Sequence, residues 1–383
     1  MQYRTLGKTK KKVSILGFGT MRLPILGGEA EINEPLAVEM LHYAIDNGVN
    51  YIDSGYTYHG EKSESFVGKA MAGGYRQKVY LATKMPVWLV QKKDDFDRIF
   101  NEQLTRMQTN KIDFYLLHCL QKDSWPKMLE LGVLKWAEKA QSDGRIGEFG
   151  FSFHDSYDVF TKIADAYDWA FCQIQYNLVN EDVQAGTKGL KYAAKKGLDV
   201  VIMEPLFGGT LANPPPAIRE IWDHVGKDSS PADVALRWLW DKPEINLVLS
   251  GMNSMEQTRQ NVETASRPAG NWLTEKEREI IPLIQKTYRQ LYPVPCTKCR
   301  YCMPCPTGID IPLNFELYND STVFKGNTVK LCNILYNSMP ASQKASACVK
   351  CRVCEEKCPQ QIPISKKLED VDRWFTKAGG ANA

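Results

Sequence analysis

The chain has 383 residues, 43% of them apolar and 24% charged, and a formal net charge of +3. That length suits one large domain plus a small one, while the balance excludes disordered or fibrous architectures and gives no footing for nucleic-acid binding. Mean hydropathy is −0.36, and no apolar stretch approaches the ~18 residues of a membrane span. The charged opening MQYRTLGKTKKK predicts a cytoplasmic protein without a secretory signal and without a membrane partner.

The outlier is cysteine. Nine of the eleven cysteines follow residue 290, and clustered thiols of odd number in a cytoplasmic chain argue for metal ligation rather than disulfides. The skew divides the chain into residues 1–290 and a metal-binding tail, 291–383.

In chain order, VSILGFG (13–19) precedes a helical run at 35–47, and VNYIDS (49–54) precedes one at 61–72. VYLATK (79–84) leads to 95–108, DFYLLH (113–118) to 127–143, and IGEFGFS (146–152) to 156–167. FCQIQY (171–176) leads to 184–196, DVVIME (199–204) to a Pro/Gly loop and 231–241, and INLVLSG (245–251) to 255–266. Apolar strands separated by amphipathic helices indicate a parallel sheet covered on both faces. Eight such units in roughly 250 residues predict an α/β fold of the (β/α)8 TIM-barrel type better than an open doubly wound sheet.

In such a barrel the chemistry sits where strands end. Asp53 closes the second strand, with Tyr58 in the loop beyond it; Lys84 closes the third and His118 the fourth. A phenol has a pKa of about 10 and is a poor acid at neutral pH. A neighbouring Lys84 ammonium would favour the phenolate, and Asp53 would hold that ammonium charged. His118 could orient a substrate oxygen, giving a group able to protonate an alkoxide as a hydride reaches a carbonyl carbon.

Over residues 1–290 the chain resembles the aldo–keto reductase family. The resemblance is carried by GFGTMRLP (17–24), DSGYTYHGEKSE (53–64), LATK (81–84), LLH (116–118), QIQYN (173–177) and GMNSMEQTRQN (251–261). It implies a TIM barrel with a nicotinamide cofactor across its top, reduction of a small-molecule carbonyl substrate, and Asp53, Tyr58, Lys84 and His118 as the catalytic tetrad. The same match puts Ser152 and Gln173 on the nicotinamide carboxamide. Gly19, Thr20, Met21, Met203, Gly251, Ser254, Gln257 and Asn261 complete the implied cofactor contacts. Ser254 and Gln257 form a capping-box pattern on a helix whose N-terminus would attract phosphate. Phe153 stands where an asparagine is common, Met203 where a stacking tyrosine is usual, and only Arg259 is close to the usual 2′-phosphate clamp. NADH, NADPH and a flavin in the same cavity therefore stay open.

Residues 296–306 read CTKCRYCMPCP and 348–359 read CVKCRVCEEKCP. The second is the bacterial ferredoxin run C-x₂-C-x₂-C-x₃-C-P; the first is one residue short before its fourth cysteine. Zinc usually takes its thiolates as two separated C-x₂-C pairs, so two four-cysteine runs ending in Cys-Pro point to two [4Fe–4S] clusters. The fourth cysteine of a run serves the other cluster. That gives Cys296, Cys299, Cys302 and Cys358 to one cluster and Cys348, Cys351, Cys354 and Cys305 to the second, the short spacing leaving open which cluster Cys305 serves. Cys119, Cys172 and Cys332 read as ordinary buried thiols. The long, helix-compatible spacer resembles the mainly α-helical ferredoxin type, and the whole chain resembles bacterial aldo–keto reductases with a C-terminal ferredoxin-like domain.

Hydride transfer moves two electrons and a cluster takes one, so three readings remain open. The protein is a conventional carbonyl reductase with structural or side-channel clusters; or the clusters relay single electrons to a flavin or substrate in the barrel; or the chain is a non-catalytic electron carrier. The full tetrad favours the first. The mildly basic tail would suit an acidic redox partner protein. Trp88 and Trp125 are candidate pocket walls, Arg22 a candidate anion contact, and His59 and His154 candidates for the mouth.

Overall fold

The structure, a computed structural model, describes residues 1–28, 30–224, 229–268, 270–324 and 327–381. Two strands, β1 (Tyr3–Thr5) and β2 (Lys12–Ser14), form an antiparallel hairpin. Eight more close into a barrel of parallel neighbours: β3 (Leu16–Gly19), β4 (Tyr51–Asp53), β5 (Tyr80–Pro86), β6 (Ile112–Leu120), β7 (Ile146–Phe153), β8 (Phe171–Gln175), β9 (Asp199–Met203) and β10 (Leu247–Gly251). The eight expected strand–helix units are all present. The run 13–19 is split, however: its first residues pair with β1, and only β3 enters the barrel. The helical run 127–143 is also two helices, Ser124–Glu130 and Val133–Ser142, parted at Gly132, whose φ of 79° lies in the left-handed region that favours glycine.

Strand alternation decides what faces the barrel interior. Tyr51, Ala82, Phe114, Phe171, Val201 and Leu247 pack together there, and Leu6 and Val13 of the hairpin join the same cluster. Two residues further along the same strands, the inward positions are Asp53, Lys84, Gln173 and Met203. The barrel is thus apolar at its N-terminal end and polar at the end where loops begin. At the β3–β10 seam Leu249 packs over Gly17, where an added Cβ would stand 2.8 Å from Leu249 Cδ2.

Contacts divide the chain into one unit of Met1–Leu206 and Asp233–Leu273 and another of Phe207–Ala232 and Thr274–Ala383. The helix Glu275–Leu291, opened by a Thr274–Glu277 capping box, belongs with Pro216–Asp223, and Tyr288 donates to the Thr210 carbonyl at 3.1 Å. The rest of the second unit is helical, with Ile311–Val323, Asn327–Ser338, Val353–Glu356 and Ile364–Ala381. Its core gathers Val294, Phe315, Leu368 and Val371, with Tyr336 stacked on Phe375 at 4.1 Å.

Candidate active site and cysteine loops

At the C-terminal end of the barrel the structure brings Asp53, Tyr58, Lys84 and His118 together. Lys84 Nζ lies 2.7 Å from Asp53 Oδ1, donates to the Ser54 carbonyl at 2.5 Å, and reaches the Tyr58 hydroxyl at 3.3 Å. The Tyr58 and His118 rings meet edge to face with centroids 6.0 Å apart. All four side chains are buried, Lys84 completely. Burial works to lower the Lys84 pKa, but the Asp53 carboxylate and Tyr58 raise it above the ordinary lysine value. Burial likewise pushes the Asp53 carboxyl up, and the Lys84 ammonium opposes that. The pair is therefore held as an ion pair, an ammonium fixed under a phenol.

His118 differs. Burial, with Lys84 and His154 adding, pulls its pKa well below 6.5, so the imidazole is neutral. Its placement depends on a bulge: the β6–β7 register slips between Leu117 and Leu120, and Cys119 adopts a φ of 58°. Such a bulge re-aims a side chain beside a site. Ser152 fixes it, its Oγ accepting from the Cys119 N–H at 2.7 Å. Cys119 is consequently only half-buried, a correction to its reading as a buried thiol, whereas Cys172 and Cys332 are buried. Trp88 lies over His118 with centroids 5.0 Å apart. Trp125 instead packs on Trp169 at 5.7 Å and is an anchor of the fold.

A second buried network holds the strand bearing Lys84. Glu64 accepts from Thr83 at 2.5 Å and from Gln103 at 2.6 Å; Gln103 also donates to the Lys84 carbonyl at 3.0 Å and accepts from Tyr115 at 2.6 Å. Sequence reasoning missed Glu64 and Gln103. Glu64 stands within DSGYTYHGEKSE, and a charged residue on the buried face of its helix was the available signal. Gly55 was missed too: a Cβ there would stand 2.8 Å from Tyr58 Cζ, so only glycine lets the ring lie back over the loop.

His59 is buried, with a φ of 53°. His154, also buried, contacts Gln184 through Nδ1 at 3.2 Å, and burial drops its pKa to about 4.

The expected cofactor residues fall at the same end of the barrel, beginning beside Asp53, with which Gly19 pairs. Gly19 pairs with Gly251 at the ends of β3 and β10, and Thr20 donates to the Asp53 carbonyl at 3.0 Å. Met21 follows in the turn Thr20–Arg22, and the Arg22 stem crosses Gly251, where an added Cβ would meet its Cγ at 2.8 Å. Gln173 Nε2 donates to Met203 Sδ at 3.5 Å, while Gln173 Oε1 is buried and has no hydrogen-bond partner. Ser254 caps the helix Met255–Ser266, accepting from the Gln257 N–H at 3.2 Å, and Gln257 Oε1 accepts from the Asn253 N–H at 3.0 Å. Asn261 is turned inward, donating to Ser250 at 3.1 Å, and the Arg259 guanidinium lies over the Tyr43 ring at 5.7 Å.

In the second unit, Cys296, Cys299, Cys302 and Cys358 line one pocket, walled by Phe315 and Ile364. Burial pushes the Cys302 thiol up, with Cys299, Cys296 and Cys358 among the neighbours adding to the shift. Burial also raises Cys354, to about 11, with Cys305 and Cys348 contributing. Cys351 is exposed. Among the described residues, no three His, Cys, Asp or Glu side chains converge on a single-ion site.

The two loops share a backbone. Lys298 and Arg300 have φ of 57° and 63° around Cys299; Lys350 and Arg352 have 57° and 62° around Cys351. Three residues after the fourth cysteine, Gly308 and Gln361 are again left-handed. The Gly308 N–H returns to the Cys305 carbonyl at 2.9 Å and that of Gln361 to the Cys358 carbonyl at 3.0 Å.

Residues 15–270 match the aldo/keto reductase family model. The chain belongs to the aldo/keto reductase family. It is an oxidoreductase, and residues 295–363 match a 4Fe-4S dicluster domain. Among its relatives, the uncharacterized oxidoreductase YrpG of Bacillus subtilis is 25% identical over 307 residues, covering 69% of this reductase and 90% of that protein. The L-galactose dehydrogenase of Arabidopsis thaliana is 27% identical over 294 residues, covering 68% and 87%. In fold the reductase is similar to the holo form of the aldo-keto reductase AKR11C1 from Bacillus halodurans, with a TM-score of 0.62, 24% identity and coverage of 74% and 96%. It is also similar to an aldo/keto reductase from Klebsiella pneumoniae in complex with NADP and acetate, at a TM-score of 0.60, 24% identity and coverage of 73% and 94%. No helix among the described residues of the reductase is long and apolar enough to cross a membrane.

Proposed function

We propose that this protein reduces the carbonyl group of a small aldehyde or ketone with NAD(P)H in the cytoplasm, with Tyr58 as general acid, and that it carries two [4Fe–4S] clusters. Residues 1–290 then perform the reduction and 291–383 hold the clusters. The observation that carries the reading is the buried chain Asp53–Lys84–Tyr58 beside a neutral His118.

The barrel fits a nicotinamide. The buried, unpartnered Gln173 Oε1 is an acceptor for a carboxamide N–H, and Ser152, whose hydroxyl also braces the bulge, stands on the neighbouring strand in register with Gln173. Gly19, Thr20, Met21, Met203, Gly251, Ser254, Gln257 and Asn261 form the rest of that rim, and the N-terminus of the helix Met255–Ser266 suits a phosphate. The Klebsiella pneumoniae neighbours bound to NADP and NADPH support this cofactor class.

Bound there, the cofactor supplies a hydride to the carbonyl carbon. Tyr58 supplies the proton to the carbonyl oxygen. The Lys84 ammonium, 3.3 Å away, stabilises the phenolate left behind, and Asp53 keeps that ammonium charged and in place. His118, being neutral, orients the carbonyl by a hydrogen bond and does not compete as an acid.

The cysteine loops fit two clusters, each a one-electron group. Cys296, Cys299, Cys302 and Cys358 would hold one and Cys348, Cys351, Cys354 and Cys305 the other, following the two groupings of thiols. A second reading has the clusters relaying single electrons between a redox partner protein and a flavin in the barrel. Two observations favour it: Met203 occupies the rim where a stacking ring would be expected, and Arg259 is engaged by Tyr43.

Replacing Tyr58 by Phe tests the main reading. Carbonyl reduction should fall at least 10²-fold with the cluster spectrum unchanged, and retained turnover would refute the assignment. Anaerobic titration with NADH and then NADPH, following cluster absorbance without substrate, separates the two readings. Bleaching supports the relay and its flavin. Consumption of the nicotinamide only after a carbonyl is added supports the conventional reductase.

A further inference from the structure

We infer that the two cysteine sites are unequal electron acceptors: the cluster held by Cys305, Cys348, Cys351 and Cys354 has the higher reduction potential, and the Thr307 hydroxyl raises it. The inference rests on the two-cluster reading above.

The near-symmetry of the halves isolates the difference. Each loop has the same left-handed residues flanking its second cysteine. After each fourth cysteine the backbone turns alike, the N–H of Gly308 returning to the Cys305 carbonyl and that of Gln361 to the Cys358 carbonyl. The flanking lysines are matched by carboxylates in both halves, Lys298 by Glu316 at 2.7 Å and Lys350 by Glu369 at 2.5 Å. These features act alike on both sites, apart from the Lys298 N–H, which donates to Cys296 Sγ at 3.4 Å on the first site.

Two things do not match. Two residues after the fourth cysteine, the first half has Thr307 and the second has Gln360. The Thr307 hydroxyl lies 3.3 Å from Cys305 Sγ; a ligating thiolate has no proton, so there the hydroxyl must donate. That is an added donor on one site. The second mismatch is exposure. Cys351 is exposed and Val349 beside it is 66% exposed, whereas Cys299 and its partners are walled by Phe315, Ile311 and Pro359. Reduction adds one electron and hence negative charge to the cluster. Hydrogen bonds to sulfur and access to water stabilise that charge, and both set cluster potentials. The hydroxyl at 3.3 Å and the greater exposure both favour the Cys305 site and outweigh the single backbone donor at 3.4 Å on the Cys296 site, so the first electron delivered settles there.

The experiment is a dithionite titration of the holoprotein at controlled potential, read by electron paramagnetic resonance and visible absorbance, with iron counted in every sample. The wild type should hold eight irons and reduce in two separate one-electron steps. Thr307→Val should lower only the upper step, by about tenfold in its equilibrium constant, or ~59 mV, and Thr307→Ser should restore it. Cys351→Ser, which disables the proposed upper site whatever Thr307→Val does to folding, should leave the lower step. A shift of the lower step in Thr307→Val, no shift at all, or survival of the upper step in Cys351→Ser overturns the inference with the two-cluster reading intact. Four irons in the wild type would instead overturn that reading, and the inference with it.

Discussion

Gly55→Ala tests the site without removing any functional group. Gly55 lies outside the left-handed region, so alanine is conformationally acceptable there, but its Cβ would stand 2.8 Å from Tyr58 Cζ and 3.0 Å from both Cε atoms. The ring must retreat by about 0.6 Å to reach the 3.4 Å of ordinary contact. Its hydroxyl starts 3.3 Å from Lys84 Nζ, at the edge of hydrogen-bonding range, so a shift of that size breaks the link or spoils its line. A 1 Å misplacement of a reacting group can cost ~10²-fold, so kcat should fall by roughly one order of magnitude. Restricting the unfolded chain adds about 0.4–1 kcal/mol and displacing the buried ring costs about 1–3 kcal/mol, so stability should fall by no more than about 2–3 kcal/mol. The assay is kcat on a small aldehyde with the preferred nicotinamide, beside a thermal melt. Wild-type kcat in the alanine variant would refute the claim that the Tyr58–Lys84 distance governs the chemistry. A large fall in melting temperature with the loss of rate would show that Gly55 serves the fold instead.

Two further outcomes follow from the buried charges. Lys84→Met strands the Asp53 carboxylate and should cost about 3–5 kcal/mol; adding Asp53→Asn should return more than 1 kcal/mol of that in urea unfolding, and strict additivity would contradict the ion pair. His154 has a folded pKa of about 4 against 6.5 unfolded, so between those values the unfolded chain binds the extra proton. Stability is therefore full above pH 6.5 and is lost as pH falls toward 4, by about 3 kcal/mol from this residue. The His154→Gln variant should show a flatter stability profile over that window; a profile parallel to the wild type would mean that His154 is not held neutral.

How much of this was legible in the sequence follows from the range of the forces involved. Strands buried on both faces read as apolar runs whatever they touch, so all eight barrel strands could be found by period alone. Asp53 and Lys84 stood out because each is a charge ending such a run, and a charge there needs a partner. What stayed hidden depends on contacts distant in sequence. The glycine at 132 that divides one helix is a local signal that a longer amphipathic pattern overrode. The β6 bulge that aims His118 has no local signal, since it depends on Ser152 catching the Cys119 N–H across the β6–β7 seam. The Glu64–Gln103 bond likewise joins residues 39 apart.

The cysteine loops carry the same lesson in sharper form. Spacing showed which thiols could share a cluster, but it gave no reason for lysine and arginine to adopt left-handed backbone, which their side chains disfavour. The same two positions do so in each half, Lys298 and Arg300 in one and Lys350 and Arg352 in the other, within the shared pattern C-x-K-C-R-x-C. A shared backbone is what the proposal of one cluster per loop requires. Thr307 against Gln360 is then where the two halves were free to diverge.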